Sequence, residues 1–203
     1  MMKLQLTYWR YFMKSALHYS HELLDNLIQR FSSDLFIDAT LGNGNDLAFI
    51  LKHPHFKGQI LGFDIQTQAI DKTKQKLKDL HLDTKDNYQL IQDSHANLNQ
   101  YISNETKIGG AIFNLGYLPG GNHDITTLFD STIQAIETIS TYLNKHGQII
   151  LVVYHGHEEG KVESEQLLNA LSQWPQEKWQ VLTYQFINQI NRPPYLIVVE
   201  KIN

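Results

Sequence analysis

An α/β fold built on a mostly parallel sheet is what this sequence predicts, and three patterns carry that expectation. Apolar runs alternate with segments of helical composition, four of the first five runs end in Asp or Asn, and the last two lie too close together for a helical crossover. Fully apolar strands alternating with helices point to a parallel sheet covered on both faces. Open α/β sheets place their ligands outside the carboxyl ends of their strands, so the Asp and Asn residues there are the first place to look for function.

In order along the chain, Leu17, Leu23, Leu24, Leu27 and Ile28 recur close to helical spacing, which predicts a helix within residues 15–31. Leu35–Ile37 is the first strand; it ends in Asp38 and a Gly-rich turn, with a helix over Asp46–Lys52. Gln59–Phe63 is the second, ended by Asp64 and followed by a helix over Thr67–Leu80. Tyr88–Ile91 leads to Asp93 and a helix over Ala96–Ile102; Ile108–Phe113 ends at Asn114 and precedes a helix over Thr126–Asn144. Ile149–Tyr154 is the fifth strand, with a helix around Val162–Ser172 behind it. Gln180–Ile187 and Tyr195–Ile202, separated only by Asn188–Pro194, should form an antiparallel hairpin. With no repeat, low-complexity tract or linker, residues 1–203 are expected to form one domain, residues 1–33 being an N-terminal helical extension.

The 203 residues include no cysteine, which excludes disulfide scaffolds and Cys-ligated zinc or iron–sulfur centres. No secretory signal is evident at the N-terminus, and no run approaches the ~20 apolar residues of a membrane span. The expectation is a soluble, cytoplasmic protein with no membrane partner. A net charge of −4 argues against non-specific nucleic-acid binding over the whole surface but leaves room for a local basic patch. Lys72, Lys74, Lys76 and Lys78, on one predicted helix, read as a solvated face.

The segment Asp38-Ala39-Thr40-Leu41-Gly42-Asn43-Gly44-Asn45-Asp46 is the strongest local signal. Gly42 and Gly44 directly after a buried strand let the backbone turn sharply and approach a ligand, while the following helix offers unpaired N–H groups. The third glycine of a dinucleotide fingerprint is replaced by Leu47, and carboxylates flank the loop at Asp38 and Asp46. Those carboxylates would repel a pyrophosphate and suit a ligand carrying an ammonium group, which favours S-adenosylmethionine over NAD. Asn43 and Asn45 belong to the same loop. Asp64, with Gln66 just beyond it, is placed to accept from both ribose hydroxyls, and Asp93-Ser94-His95 to meet the adenine edge.

At the fourth strand, Asn114-Leu115-Gly116-Tyr117 is a relative of the Asn-Pro-Pro-Tyr motif of amino-group methyltransferases, with Leu115 and Gly116 replacing the prolines. An Asn carboxamide oxygen can orient an amine, and a tyrosine ring can stack on a base. Asn114, Tyr117 and His155 are therefore the candidate catalytic residues; Leu115, Gly116, Tyr117, His157 and Arg192 are candidates for substrate contact. His155 and His157 are only two apart at a strand end, where alternation points them to opposite sides, so no metal site is expected.

The motifs DATLGNGND, FDIQ, DSH, FNLGYLPGG, VVYHGHEEGK and NQINRPPYLIVVEK together resemble the class I methyltransferases once labelled rRNA methylases, over about Ala16–Lys201. The resemblance implies a Rossmann-like, seven-stranded, mostly parallel sheet whose last two strands are the hairpin. It implies S-adenosylmethionine as cofactor and a tRNA anticodon arm as partner. The implied reaction methylates the aminomethyl amine of 5-aminomethyl-2-thiouridine at the wobble position, giving 5-methylaminomethyl-2-thiouridine. The HYSHELL segment also resembles the family's, and would close over the cofactor with His21 nearby. Methylation of rRNA or a small amine, or cofactor binding without catalysis, remain alternatives, and a homodimer is compatible with the sequence.

Overall fold

The computed structural model of the protein describes residues 13–116, 129–155 and 158–203. Ser15 caps the first helix, its hydroxyl accepting from the His18 amide at 3.4 Å. The elements then run α1 (Ala16–Arg30), β1 (Leu35–Asp38), α2 (Asn45–Lys52), β2 (Ile60–Phe63), α3 (Thr67–Asp79) and β3 (Tyr88–Ile91). A 3₁₀ turn (His95–Gln100) precedes β4 (Ile108–Leu115), α4 (Phe129–Tyr142), β5 (Leu143–Val153), α5 (Glu158–Ser172), β6 (Trp179–Tyr184) and β7 (Tyr195–Lys201). The sheet has seven strands in the order β3-β2-β1-β4-β5-β7-β6. The first five strands pair parallel, and β7 inserts antiparallel between β5 and β6. The sequence-based fold class, hairpin included, holds.

Period-two alternation splits the strand side chains between two apolar layers. Ile37, Phe63, Phe113, Leu151 and Ile197 face one way, joined by Ala135, Ile136 and Ile139 of α4. Phe36, Ile60, Ile112, Ile150 and Leu196 face the other, against Leu24 and Ile28 of α1, Leu47, Ile50 and Leu51 of α2, and Leu77 of α3. Burial on both faces explains why these strands read as unbroken apolar runs. It also leaves the carboxyl edge of the sheet as the place where polar side chains gather.

Two expectations need correction. The helix expected over Ala96–Ile102 is instead the short 3₁₀ turn. Asp93 accepts from the Ser94 amide, Asn97 Nδ2 and the Tyr101 hydroxyl, and Ser94 Oγ accepts from the Ala96 amide, so the segment is tied into a tight coil. The fifth strand begins at Leu143, six residues earlier than expected. Leu143 pairs with Ile108, a register shift follows, and His146 takes a positive φ of 65° before pairing resumes at Gln148. Tyr117, His157 and the start of the helix expected from Thr126 lie outside the described residues. Among those described, no helix is long and apolar enough to cross a membrane.

Candidate functional site

The loop after β1 is held from beneath and from the side. Asp38 is fully buried, and its two carboxylate oxygens accept from the Thr40 amide (3.3 Å) and the Leu47 amide (3.1 Å). They join the start of the loop to the first turn of α2. Burial, and then the neighbouring Asp46 carboxylate, push the Asp38 pKa well up. Gly42 and Gly44 both take left-handed backbone, with φ of 50° and 69°. At Gly44 a Cβ would lie 2.7 Å from Thr73 Oγ1, so both conformation and space exclude a side chain. The neighbouring strand closes this loop: Asp64 accepts from the Gly42 amide at 3.0 Å and the Gln66 amide at 2.9 Å.

Beyond β3, Asp93 is held below the usual carboxylate range by its bonds from Asn97, Tyr101 and Ser94. His95 is buried, with Nδ1 on the Ala39 carbonyl at 2.9 Å, and its ring meets Phe113 edge-on. Burial lowers its pKa. A carbonyl only accepts, so Nδ1 carries the proton.

A cavity of about 1760 Å³ opens at this edge of the sheet. Gly42, Asn43, Asn45, Asp46, Asn114, Gly116, His155 and Arg192, all singled out in the sequence, line it together. They come from the first loop, the start of α2, the ends of β4 and β5, and the connection between β6 and β7. Asp64, Gln66, Asp93, Ser94 and His95, also singled out in the sequence, are not among the residues that line it.

Two assignments change with burial. Asp38 does not reach the cavity; its oxygens are spent on loop amides. Leu115, expected to contact substrate, has its side chain 1% exposed in the core, because the last residue of β4 continues the inward alternation. Its carbonyl accepts the Tyr154 amide at 3.0 Å and so ties β4 to β5 where the site begins.

At the centre of the cavity wall is a three-residue chain. Asn114 Nδ2 donates to Asp46 Oδ2 at 2.7 Å, and Asp46 Oδ1 lies 2.6 Å from His21 Nε2. A carboxylate only accepts, so the Asn114 amide nitrogen must face Asp46, and Oδ1 is the atom left to accept from a ligand. The backbone is fixed as well: the Asn114 amide donates to Thr40 Oγ1 at 2.6 Å. The His21 ring stacks on Phe49 of α2, with centroids 4.3 Å apart and planes inclined by 22°. On the β5 side, Tyr154 has its pKa raised by burial and then by Asp46, so its phenol stays protonated. His155 Nδ1 is buried with no hydrogen-bond partner among the described residues, and the ring meets Tyr195 edge-on with centroids 5.1 Å apart.

Sequence reasoning missed Thr40, Phe49 and Tyr154 as parts of this wall. Thr40 stood inside the motif already singled out, and its hydroxyl gave a signal that was available. Phe49 and Tyr154 look like ordinary core positions until the helix phase and strand end are known. Lys52, Lys72 and Lys76 also line the cavity, where a solvated face was expected for the α3 lysines.

The family described as “Putative rRNA methylase” matches residues 60–200. The chain is 33% identical over 197 residues to “tRNA (mnm(5)s(2)U34)-methyltransferase, chloroplastic” of Arabidopsis thaliana, spanning 94% of this chain and 71% of that protein. A structure titled as a putative rRNA-methylase from Clostridium thermocellum superposes with a TM-score of 0.84 at 41% identity, covering 94% of this chain and 100% of the other. One titled as a putative methyltransferase from Streptococcus mutans, in complex with SAH, gives a TM-score of 0.80 at 36% identity over 94% and 99%.

Proposed function

The chain belongs to the “Putative rRNA methylase” family and is an S-adenosylmethionine-dependent methyltransferase; on that footing we propose that it methylates the aminomethyl amine of 5-aminomethyl-2-thiouridine at the wobble position of tRNA. The observation that carries this reading is the Asn114 carboxamide, clamped nitrogen-first on Asp46 beside an open cavity. An amine acceptor needs a hydrogen-bond acceptor that holds it in one orientation, and Asn114 Oδ1 offers one. The 33% identical Arabidopsis protein, whose name specifies this wobble uridine, supports the substrate.

The residues present fit the cofactor. Left-handed glycines let the first loop come close to a ligand, and Gly42, Asn43 and Asn45 line the cavity there, while both Asp46 oxygens are taken by His21 and Asn114. Gly42, Asn43 and Asn45 would hold it from the loop, with Asp64 toward the ribose and Asp93, Ser94 and His95 toward the adenine. When bound, S-adenosylmethionine supplies a methyl group already activated on sulfonium, so the chain's task is alignment and exclusion of water.

Asn114 Oδ1 accepts one N–H of the amine and aims the nitrogen lone pair at the methyl carbon. The amine would have to reach the site unprotonated, and the secondary ammonium that methylation leaves would then need a proton acceptor from this chain. His155, whose Nδ1 has no partner among the described residues, would accept that proton, and the protonated Tyr154 phenol offers a donor on the cavity wall. Tyr117 would stack on the base beside Gly116, and His157 and Arg192 would contact the RNA around it.

The test is a panel of methyl acceptors: tRNA bearing the aminomethyl nucleoside, small ribosomal subunits and simple alkylamines, each with labelled S-adenosylmethionine. Label confined to the tRNA supports the proposal. Label in ribosomal RNA or free amines, with none in tRNA, overturns it.

A further inference from the structure

We propose that the groove between α2 and α3 is the track for the RNA's ribose–phosphate backbone, with Lys52, Lys72 and Lys76 as its phosphate-binding side chains. This deepens the function proposed above and rests on an RNA substrate.

The lysine run on α3 has a spacing of two residues. Each step turns about 200° around a helix of 3.6 residues per turn, so alternate lysines fall on opposite sides, and residues four apart share a face. The structure fixes which pair faces inward. Lys72 and Lys76 line the cavity, whereas Lys74 is 60% exposed and pairs with Asp71 at 4.0 Å. Lys52, in the last turn of α2, lines the same cavity. The Lys76 ammonium is held by the side chain of Asn45, the first residue of α2, directly after the loop that carries Gly42 and Gly44.

The charge balance is local and opposite to that of the whole chain. Among the described residues, the cavity is lined by four cations, Lys52, Lys72, Lys76 and Arg192, against two carboxylates, Asp46 and Asp79, in a protein of net charge −4. Asp46 already carries hydrogen bonds from His21 and Asn114, and Asp79 accepts from Gln75 at 2.8 Å. The lysines line the same cavity as Asn114 and His155. A polyanion leading one nucleotide to Asn114 satisfies both the charge and the shape. Such placement concentrates binding where the base must arrive, and explains how an acidic protein engages RNA.

The experiment uses the full chain, tRNA bearing 5-aminomethyl-2-thiouridine, and the Lys52→Glu/Lys72→Glu double variant, with Lys74→Glu as a same-helix control. The expected result for the double variant is a KM for tRNA raised at least tenfold. kcat at saturation should stay within twofold, and S-adenosylmethionine affinity should not change. The slope of log binding against log salt should also become shallower by about 0.7 for each single-strand phosphate that the variant no longer neutralises. Lys74→Glu should behave as wild type. Unchanged KM and salt slope, or a loss seen equally in Lys74→Glu, would overturn the groove. So would a loss confined to cofactor affinity, which would give the lysines to the cofactor instead. If the wild type methylates no tRNA, the functional reading fails by itself. Salt-dependent binding of an anticodon-arm oligonucleotide then tests the groove directly, with lysine-independent binding, or none, overturning it.

Discussion

Replacing Asp46 with Ala separates a residue that holds the cofactor from one that positions Asn114. The Asp46 side chain is 9% exposed and receives Asn114 Nδ2 at 2.7 Å and His21 Nε2 at 2.6 Å. A hydrogen bond to a charged group is worth ~1.5–3 kcal/mol. If that energy serves to present Asn114 Oδ1 to the amine, its loss appears as a ~10- to 150-fold fall in kcat. Cofactor affinity, read by calorimetry, should move less than about threefold. Stability should hold up, because removing Asp46 also removes a carboxylate that opposes ionisation of buried Asp38.

The decisive comparison is a double-mutant cycle with Asn114→Ala. If Asp46 acts through Asn114, the double variant turns over no more slowly than Asn114→Ala alone. Rate losses that multiply, or a defect confined to S-adenosylmethionine binding, would refute the reasoning and return Asp46 to the cofactor.

Three further outcomes follow from the same geometry. Thr40→Val strands the Asn114 amide, which now donates to Thr40 Oγ1 at 2.6 Å; urea denaturation should show a loss of about 1–3 kcal/mol, with Thr40→Ser close to wild type. Gly44→Ala forces φ of 69° on a residue with a Cβ, costing ~1–2 kcal/mol, and drives that Cβ against Thr73. It should lower both Tm and cofactor affinity, and adding Thr73→Ala should restore only the steric part. Burial lowers the His95 pKa below its usual 6.5, so the unfolded chain binds the extra proton first on acidification. Stability should therefore fall as the pH drops below about 6.5, and this dependence should weaken in His95→Gln when unfolding is followed across pH.

The strand order's raw material was legible because burial on both faces wrote each strand as an apolar run, and the polar residue ending it marked the sheet's ligand edge. What those residues do was less legible. Asp38, Asp64 and Asp93 are alike in sequence, yet Asp38 is sealed beneath the loop, Asp64 bridges two loops, and Asp93 ties up a 3₁₀ turn. A carboxylate at a strand end serves a backbone amide as readily as a ligand, and only the surrounding geometry separates the two uses. Leu115 shows the same limit: its place in the motif suggested substrate, but strand alternation turned it into the core. The α3 lysines could be paired by helical spacing, while the face each pair takes depended on how α3 packs against α2. The contact between His21 and Asp46 joins residues 25 apart in sequence, and no local pattern announces it.

The most direct test of the proposed activity is the identity of the methylated nucleoside. Bulk tRNA from cells lacking this gene would be incubated with the protein and labelled S-adenosylmethionine, digested, and analysed by mass spectrometry. The account predicts label in 5-methylaminomethyl-2-thiouridine with a matching loss of its aminomethyl precursor. Label in any other nucleoside, with that precursor untouched, would contradict it.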